Sequence, residues 1–222
     1  MLALKRAIYV AGTLICLASP ELACAAGVAL DPTKTQEVIL QPGINNIEAM
    51  ADTGAAGTIV VAWRGNGNAH GYHSYMVLLD GDAHSGGAGH PSLLVPVEDK
   101  TTADAPFINV INDVPHTFDD VITSVRFFRS RIGGKPAFLL IIAARDLGKA
   151  ESLISPAPVA IDIYRLRSFS AEEPGRPIAY FENIRHLVSA GTYCHADKAV
   201  ATELKLPLPR DYAGPATANG CL

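Results

Sequence analysis

Long apolar runs, tryptophan and clusters of basic charge are all scarce in this chain. No stretch approaches the roughly 20 apolar residues that a membrane-spanning helix needs, so a helical membrane protein is not expected. Lys and Arg number 18 against 22 Asp and Glu, for a formal net charge of -4, and the basic residues form no patch. A mildly acidic surface offers a phosphate backbone little, which removes nucleic acid from the expected partners. The short signatures of catalysis are missing as well: there is no Gly-x-Ser-x-Gly elbow, no Ser-x-x-Lys pair, no His-x-His-x-Asp-His run and no phosphate-binding loop. "GNGNAHG", residues 65 to 71, has its third glycine one position late for a dinucleotide fingerprint, and its flanks are strand-like where a helix should follow. No cofactor is expected, no residue is singled out as catalytic, and the balance points away from an enzyme.

What is present begins with an amino-terminal leader. Lys5 and Arg6 precede an apolar run from Ala7 to Ser19, then Pro20 and the small-residue tripeptide Ala23-Cys24-Ala25, the layout of a cleaved secretory signal over residues 1–25. Glu21, three positions before Cys24, argues against a lipoprotein anchor. Cleavage leaves residues 26–222 as a single β-rich domain, periplasmic or secreted and not membrane-spanning. Of the four cysteines, Cys194 and Cys221 would remain, in a compartment that oxidises thiols. They are expected to pair, at roughly 3 kcal/mol of stabilisation in the chain-entropy model.

Strands dominate the periodicity. "GTIVVAW" (57–63) and "AFLLIIAA" (137–144) read as strands buried on both faces, and "PVAIDIYRL" (158–166) alternates. Runs 121–131 and 135–145 flank "GGKP", whose Gly133 and Gly134 supply the positive φ of a tight antiparallel hairpin. Further strands are expected near 35–41, 70–79, 92–98 and 106–111, while 178–188 is ambiguous between strand and helix. One helix is expected at about 194–205, with Ala196, Ala199, Val200 and Leu204 on one stripe, Asp197 in its first turn and Pro207 beyond its end. The fold class is mainly β: a two-layer antiparallel β-sandwich with one carboxyl-terminal helix.

Residues 68–90 hold four of the seven histidines, with Asp80 and Asp82. A metal site built from His70, His73, Asp82 and His84 is the alternative this stretch raises. On a strand, however, His70 and His73 point to opposite faces. A calcium loop over Asp80, Asp82 and His84 has a histidine where an oxygen donor is needed and Ser85 where glycine is needed. The segment reads more cheaply as an exposed glycine-rich loop, with no metal. A triad scattered in sequence, Ser74 or Ser85 with a histidine and Asp80 or Asp119, is not singled out by anything here. The preceding "WRGNGNAHGY" (63–72) is the better binding segment: if extended, it aligns Arg64, Asn66, Asn68 and His70 as a polar ladder, a guanidinium fork for a carboxylate beside hydrogen-bonding amides.

That ladder, "SVRFFR" (124–129), "LLIIAARD" (139–146), "PVAIDIYRL" and "YCHADKAVATELKLPLPRDY" (193–212) together resemble the periplasmic carbapenem intrinsic-resistance proteins, the CarG-like self-immunity family, over roughly residues 36–214. The resemblance implies an exported, non-enzymatic protein that protects against a β-lactam by binding a ligand or an envelope partner; it brings no catalytic residues. Two other readings stand beside it: a metal-dependent periplasmic hydrolase or metal-binding protein using the His/Asp cluster of 70–90, and a structural sandwich that meets a partner, or a second copy as a homodimer, through its edge strands.

Overall fold

The structure, a computed structural model, describes residues 30–50, 54–67, 71–81, 92–100, 106–114, 116–117, 120–152, 154–169 and 174–222. The leader at 1–25, Asn68, His70, Asp82, Ser85, His84 and Asp119 lie outside the described residues. Among the described residues fourteen strands and one α-helix follow in order: β1 (Gln36–Glu37), β2 (Gly43–Ile47), β3 (Gly57–Arg64), β4 (Tyr72–Asp80), β5 (Ser92–Leu94), β6 (Val97–Glu98), β7 (Phe107–Ile108), β8 (Ile111–Asn112), β9 (His116–Thr117), β10 (Asp120–Val121), β11 (Thr123–Ile132), β12 (Lys135–Arg145), β13 (Val159–Ser168), β14 (Ala179–Val188) and α1 (Ala196–Leu204). They build a large sheet in the order β1-β11-β12-β13-β14-β6-β7 and a smaller one in the order β2-β3-β4-β5 with β8 also on β4, while β9 and β10 pair as a ribbon.

The β11–β12 hairpin closes as expected, with Ile132 opposite Lys135 and Gly133 and Gly134 at φ 58° and 79°. Positive φ at both central residues matches the right-handed twist of the flanking strands. β12 is buried on both faces. Phe138 and Leu140 point into the core between the sheets; Leu139 and Ile141 point to the other side, against α1. Burying each such side chain contributes roughly 1.5–3 kcal/mol. The ambiguous 178–188 segment is a strand, with Phe181 in the inter-sheet core and Ile184 and Leu187 against the helix-side cluster.

Several expectations are corrected in detail. β3 is buried on one face only: Ile59 and Val61 face the core, while Thr58 and Val60 are half-buried and Ala62 is exposed, because among the described residues no element covers the outer face of the smaller sheet. Its unbroken apolar run hid an ordinary alternation. The pairing is mixed, since β6 joins β14 in parallel (Val97 with Phe181) at the far side of the large sheet. The expected strand at 35–41 shrinks to Gln36–Glu37, and β2 was not anticipated from its polar sequence "GINNI". Two sheets do stack on one core, but the helix and its flanking chain add a third layer over the outer face of the large sheet.

The helix runs from Ala196 to Leu204, within the expected 194–205. His195 caps it: its Nδ1 accepts from the Asp197 N–H at 3.3 Å. Lys205 ends it in the left-handed conformation at φ 58°. Ala196, Ala199, Val200 and Leu204 all pack on the large sheet. The Cys194–Cys221 disulfide, with Cα atoms 5.0 Å apart, ties the residue just before the helix cap to the carboxyl-terminal tail. Among the described residues no helix is long and apolar enough to cross a membrane.

Candidate functional site

Alternation on β4 decides what meets at the edge of the sandwich. Leu79, Val77, Tyr75 and His73 share the inward face; the first two fill the inter-sheet core, and the second two run on beyond it. There they form one wall of a cleft of about 720 Å³. Its floor is the first half of β11, and its other walls come from Glu37 of β1 and residues 38–41 after it, from the chain around Asp113 and from the tail at 209–214.

The polar groups of this cleft are largely engaged with one another. Asp113, 5% exposed, holds His73 from two sides: one carboxylate oxygen accepts the His73 backbone N–H at 2.7 Å and the other lies 3.0 Å from its ring Nδ1. The ring meets Trp63 edge-on at 4.9 Å. Trp63 itself folds back over Gly71, where any side chain would overlap the indole. On the floor, Arg126 places Nε and Nη2 on the two oxygens of Glu37 at 2.7 and 2.6 Å, and Nη2 also donates to the Pro207 carbonyl at 2.8 Å. Its guanidinium lies 5.0 Å from the centre of the Phe128 ring, and the buried Nη1 has no hydrogen-bond partner among the described residues. Beside it Ser124 donates to Asp197 at 2.5 Å.

Burial sets the proton affinities here. It raises the Asp197 carboxyl above the usual carboxylate range, against the opposing hydrogen bond from Ser124. It also raises the Tyr75 hydroxyl, with the negative charge of Asp113 adding to the effect. His195, 2% exposed, packs on Tyr212 with ring centres 4.7 Å apart, so the tail is held against the start of the helix.

The residues singled out from sequence are distributed differently. β3 ends at Arg64 and Gly67 has φ 70°; of the Arg64, Asn66, Asn68, His70 ladder only Arg64 and Asn66 lie among the described residues. Arg64 lies on the outer face of the smaller sheet, where its Nη1 donates to the Tyr72 hydroxyl at 2.5 Å and the guanidinium sits over that ring. Asn66 lies beyond the end of β3. Of the alternative metal set only His73 is described, and its ring is oriented by Asp113; among the described residues no group of three His, Cys, Asp or Glu is arranged to hold a metal. Ser74 lies next to His73 on the opposite face of β4, and Asp80 is at the far end of the strand, so neither joins that histidine. Sequence reading missed Asp113, Glu37, Ser124 and Arg126. One usable signal was Arg126 itself, a charge set among Val125, Phe127 and Phe128 in a strand long enough to be central.

Fold and cleft together define a class: a mainly β protein of two stacked sheets, with a helix over the outer face of the larger and a lateral cleft beside its short first strand. No protein-family model matches the chain, and no curated protein does. A solved structure described as "Crystal structure of CarG" matches with a TM-score of 0.56 and 19% identity, covering 74% of this chain and 92% of that one. The fold is therefore CarG-like.

Proposed function

We propose that this protein works by binding, with the cleft as its working surface, and that it is an exported carbapenem-protection protein of the kind the sequence resemblance implies. The observation that carries the binding reading is how the reactive groups of the cleft are used. Ser124 donates its hydroxyl hydrogen bond to Asp197, whose proton affinity is raised by burial, and His73 is held by Asp113; among the described residues of the cleft these pairs bind to themselves and present no nucleophile bonded to a histidine base. The CarG-like fold supports the choice of ligand class, a β-lactam or an envelope partner that a β-lactam attacks. Tyr75, Phe127 and Tyr212 give the cleft the aromatic surface that such sites use.

The test is expression in a carbapenem-susceptible bacterium, read as growth inhibition, beside the purified protein mixed with a carbapenem and followed for ring opening and for heat of binding. Protection without turnover is expected. Sustained ring opening would make the protein a hydrolase, and the metal set His70, His73, Asp82 and His84 the first place to look. The variants Arg64→Ala and Tyr75→Ala separate the two candidate surfaces: loss of protection in the second but not the first places the ligand in the cleft, and the reverse restores the polar ladder. Periplasmic protein beginning at Ala26 would establish export through the leader.

A further inference from the structure

The register of β11 leaves a gap in the large sheet, and the gap is the floor of the cleft. Arg145 N–H donates to the Ile122 carbonyl on the β12 side, and Val38 N–H donates to the Phe127 carbonyl on the β1 side. Backbone groups of successive residues point to opposite edges of a strand, so the even-numbered residues of β11 bond β12 and the odd-numbered ones face the other way. β1 covers that other edge only opposite Arg129 and Phe128, with Val38 reaching the Phe127 carbonyl. At the opposite end Thr123 turns its hydroxyl to the Val114 carbonyl at 3.0 Å. Between them Val125 presents its N–H and C=O to the cleft, with no strand beside it among the described residues. The gap from residue 123 to 127 spans about 13 Å at the usual rise per residue.

The chain itself explains the gap. After Val38 it leaves the large sheet to begin the small one, held in its turn by paired hydrogen bonds between the Gln41 backbone and the Asn45 side chain. Any strand continuing the line of β1 past Val38 would lie in the cleft, antiparallel to β11. Its side chains would alternate between the Tyr75 and Phe127 side and the Ser124 and Arg126 side. Charge narrows its character: Glu37, Asp113, Asp197 and Asp211 line the cleft against Arg126 and Arg210.

We infer that the cleft receives an extended, lysine-flanked peptide segment of a partner protein, added as a short antiparallel strand to the open edge of β11 at Val125. This rests on the reading of the cleft as the working surface, and it names the envelope partner over the small molecule as what enters.

The probe is an acetylated hexapeptide of alternating Thr and Leu with Lys at each end, titrated into the isotope-labelled, disulfide-intact chain. Saturation is expected to slow exchange of the Val125 amide by about tenfold or more, as strand addition protects an edge amide. Val125→Pro removes the outward donor, which edge positions tolerate, together with a side chain only partly buried on the core, so it should fold and lose about tenfold or more in peptide affinity. Ser124→Pro should disrupt the ladder to β12 instead. Should Val125→Pro fail to fold, an ester in place of the peptide amide opposite Val125 removes the same kind of hydrogen bond from the other side, and equal affinity for the ester would overturn the inference. So would an unchanged Val125 amide at millimolar peptide. Val125 protection that grows with protein concentration in the absence of peptide would also overturn it, in favour of a second copy at this edge. Peptide binding in a protein that gives no carbapenem protection would sink the functional reading above and leave this one standing; full protection by a Val125→Pro protein that no longer binds peptide would keep the functional reading and overturn the peptide segment as what the cleft receives in that work.

Discussion

Against the smaller sheet, the large sheet presents Phe127, Phe138, Leu140 and Phe181; against the helix, the same strands present Phe128, Leu139, Ile141, Ile161 and the small residues Ala137 and Ala143. The two faces solve different packing problems. Sheets stack about 10 Å apart, and rings are what reach across that distance. A helix can come closer where both surfaces are small, and here Ala196 and Ala199 on α1 meet a sheet face that includes two alanines. The consequence for function lies in how each face ends. The helix face is tied off by the disulfide and by the tail packed on His195. The inter-sheet face opens, past Val77, into the cleft.

The largest test of that contrast uses neighbouring residues. Leu139→Ala and Leu140→Ala delete the same side chain from opposite faces of β12, both fully buried, and each is expected to cost about 2–5 kcal/mol in denaturant unfolding. Repeating both in a protein lacking the disulfide sharpens the comparison. Removal of the clamp should couple to Leu139→Ala by about 0.5–3 kcal/mol and leave the cost of Leu140→Ala unchanged. Equal coupling at the two positions would mean that the faces respond as one body. Replacing Cys194 and Cys221 by Ala should by itself cost roughly 3 kcal/mol. Amide exchange would locate the loss: faster opening of α1 than of β3 keeps the two faces distinct, and equal opening does not.

How much of this was readable from sequence follows the same division. The hairpin around Gly133 and Gly134 and the helix were legible because each is set by conformations local in sequence; the disulfide followed from the two cysteines left beyond the expected leader, and the doubly buried β12 from an apolar run that two layers happen to cover. The outer exposure of β3 was not, since an apolar run carries no mark of which side another layer will cover. Val60 looks like a core residue until the missing layer is known. The cleft was illegible for a stronger reason. Its members, Glu37, His73, Asp113, Ser124 and Asp197, come from five separate stretches, and the spacing that unites them is a product of sheet register. The polar ladder was drawn by assuming that extended chain continues past Arg64; β3 ends there, and Asn68 and His70 lie outside the described residues.

The smallest expected effect is also the most specific to the helix face. Asp197, 7% exposed, has its carboxyl raised above the ordinary value of 3.8, chiefly by burial. A raised folded-state value means that the folded protein holds this proton more tightly than the unfolded chain. Below pH 3.8 both states are protonated and the group contributes no slope. As pH rises from 3.8 toward the raised value, the unfolded chain ionises first, so this group lowers stability across that window and leaves a constant deficit above it. Asp197→Asn keeps an acceptor for Ser124 and removes the titration. The difference between the melting temperatures of the variant and the parent should therefore grow in the variant's favour as pH rises through the window, then level off. Leu140→Ala, on the other face, should run parallel to the parent throughout. Parallel curves for Asp197→Asn as well would show that the Ser124 hydrogen bond offsets the burial, so that the floor of the cleft carries a full negative charge even under mildly acid conditions; that stronger charge would favour the lysine-flanked segment at the β11 edge still more.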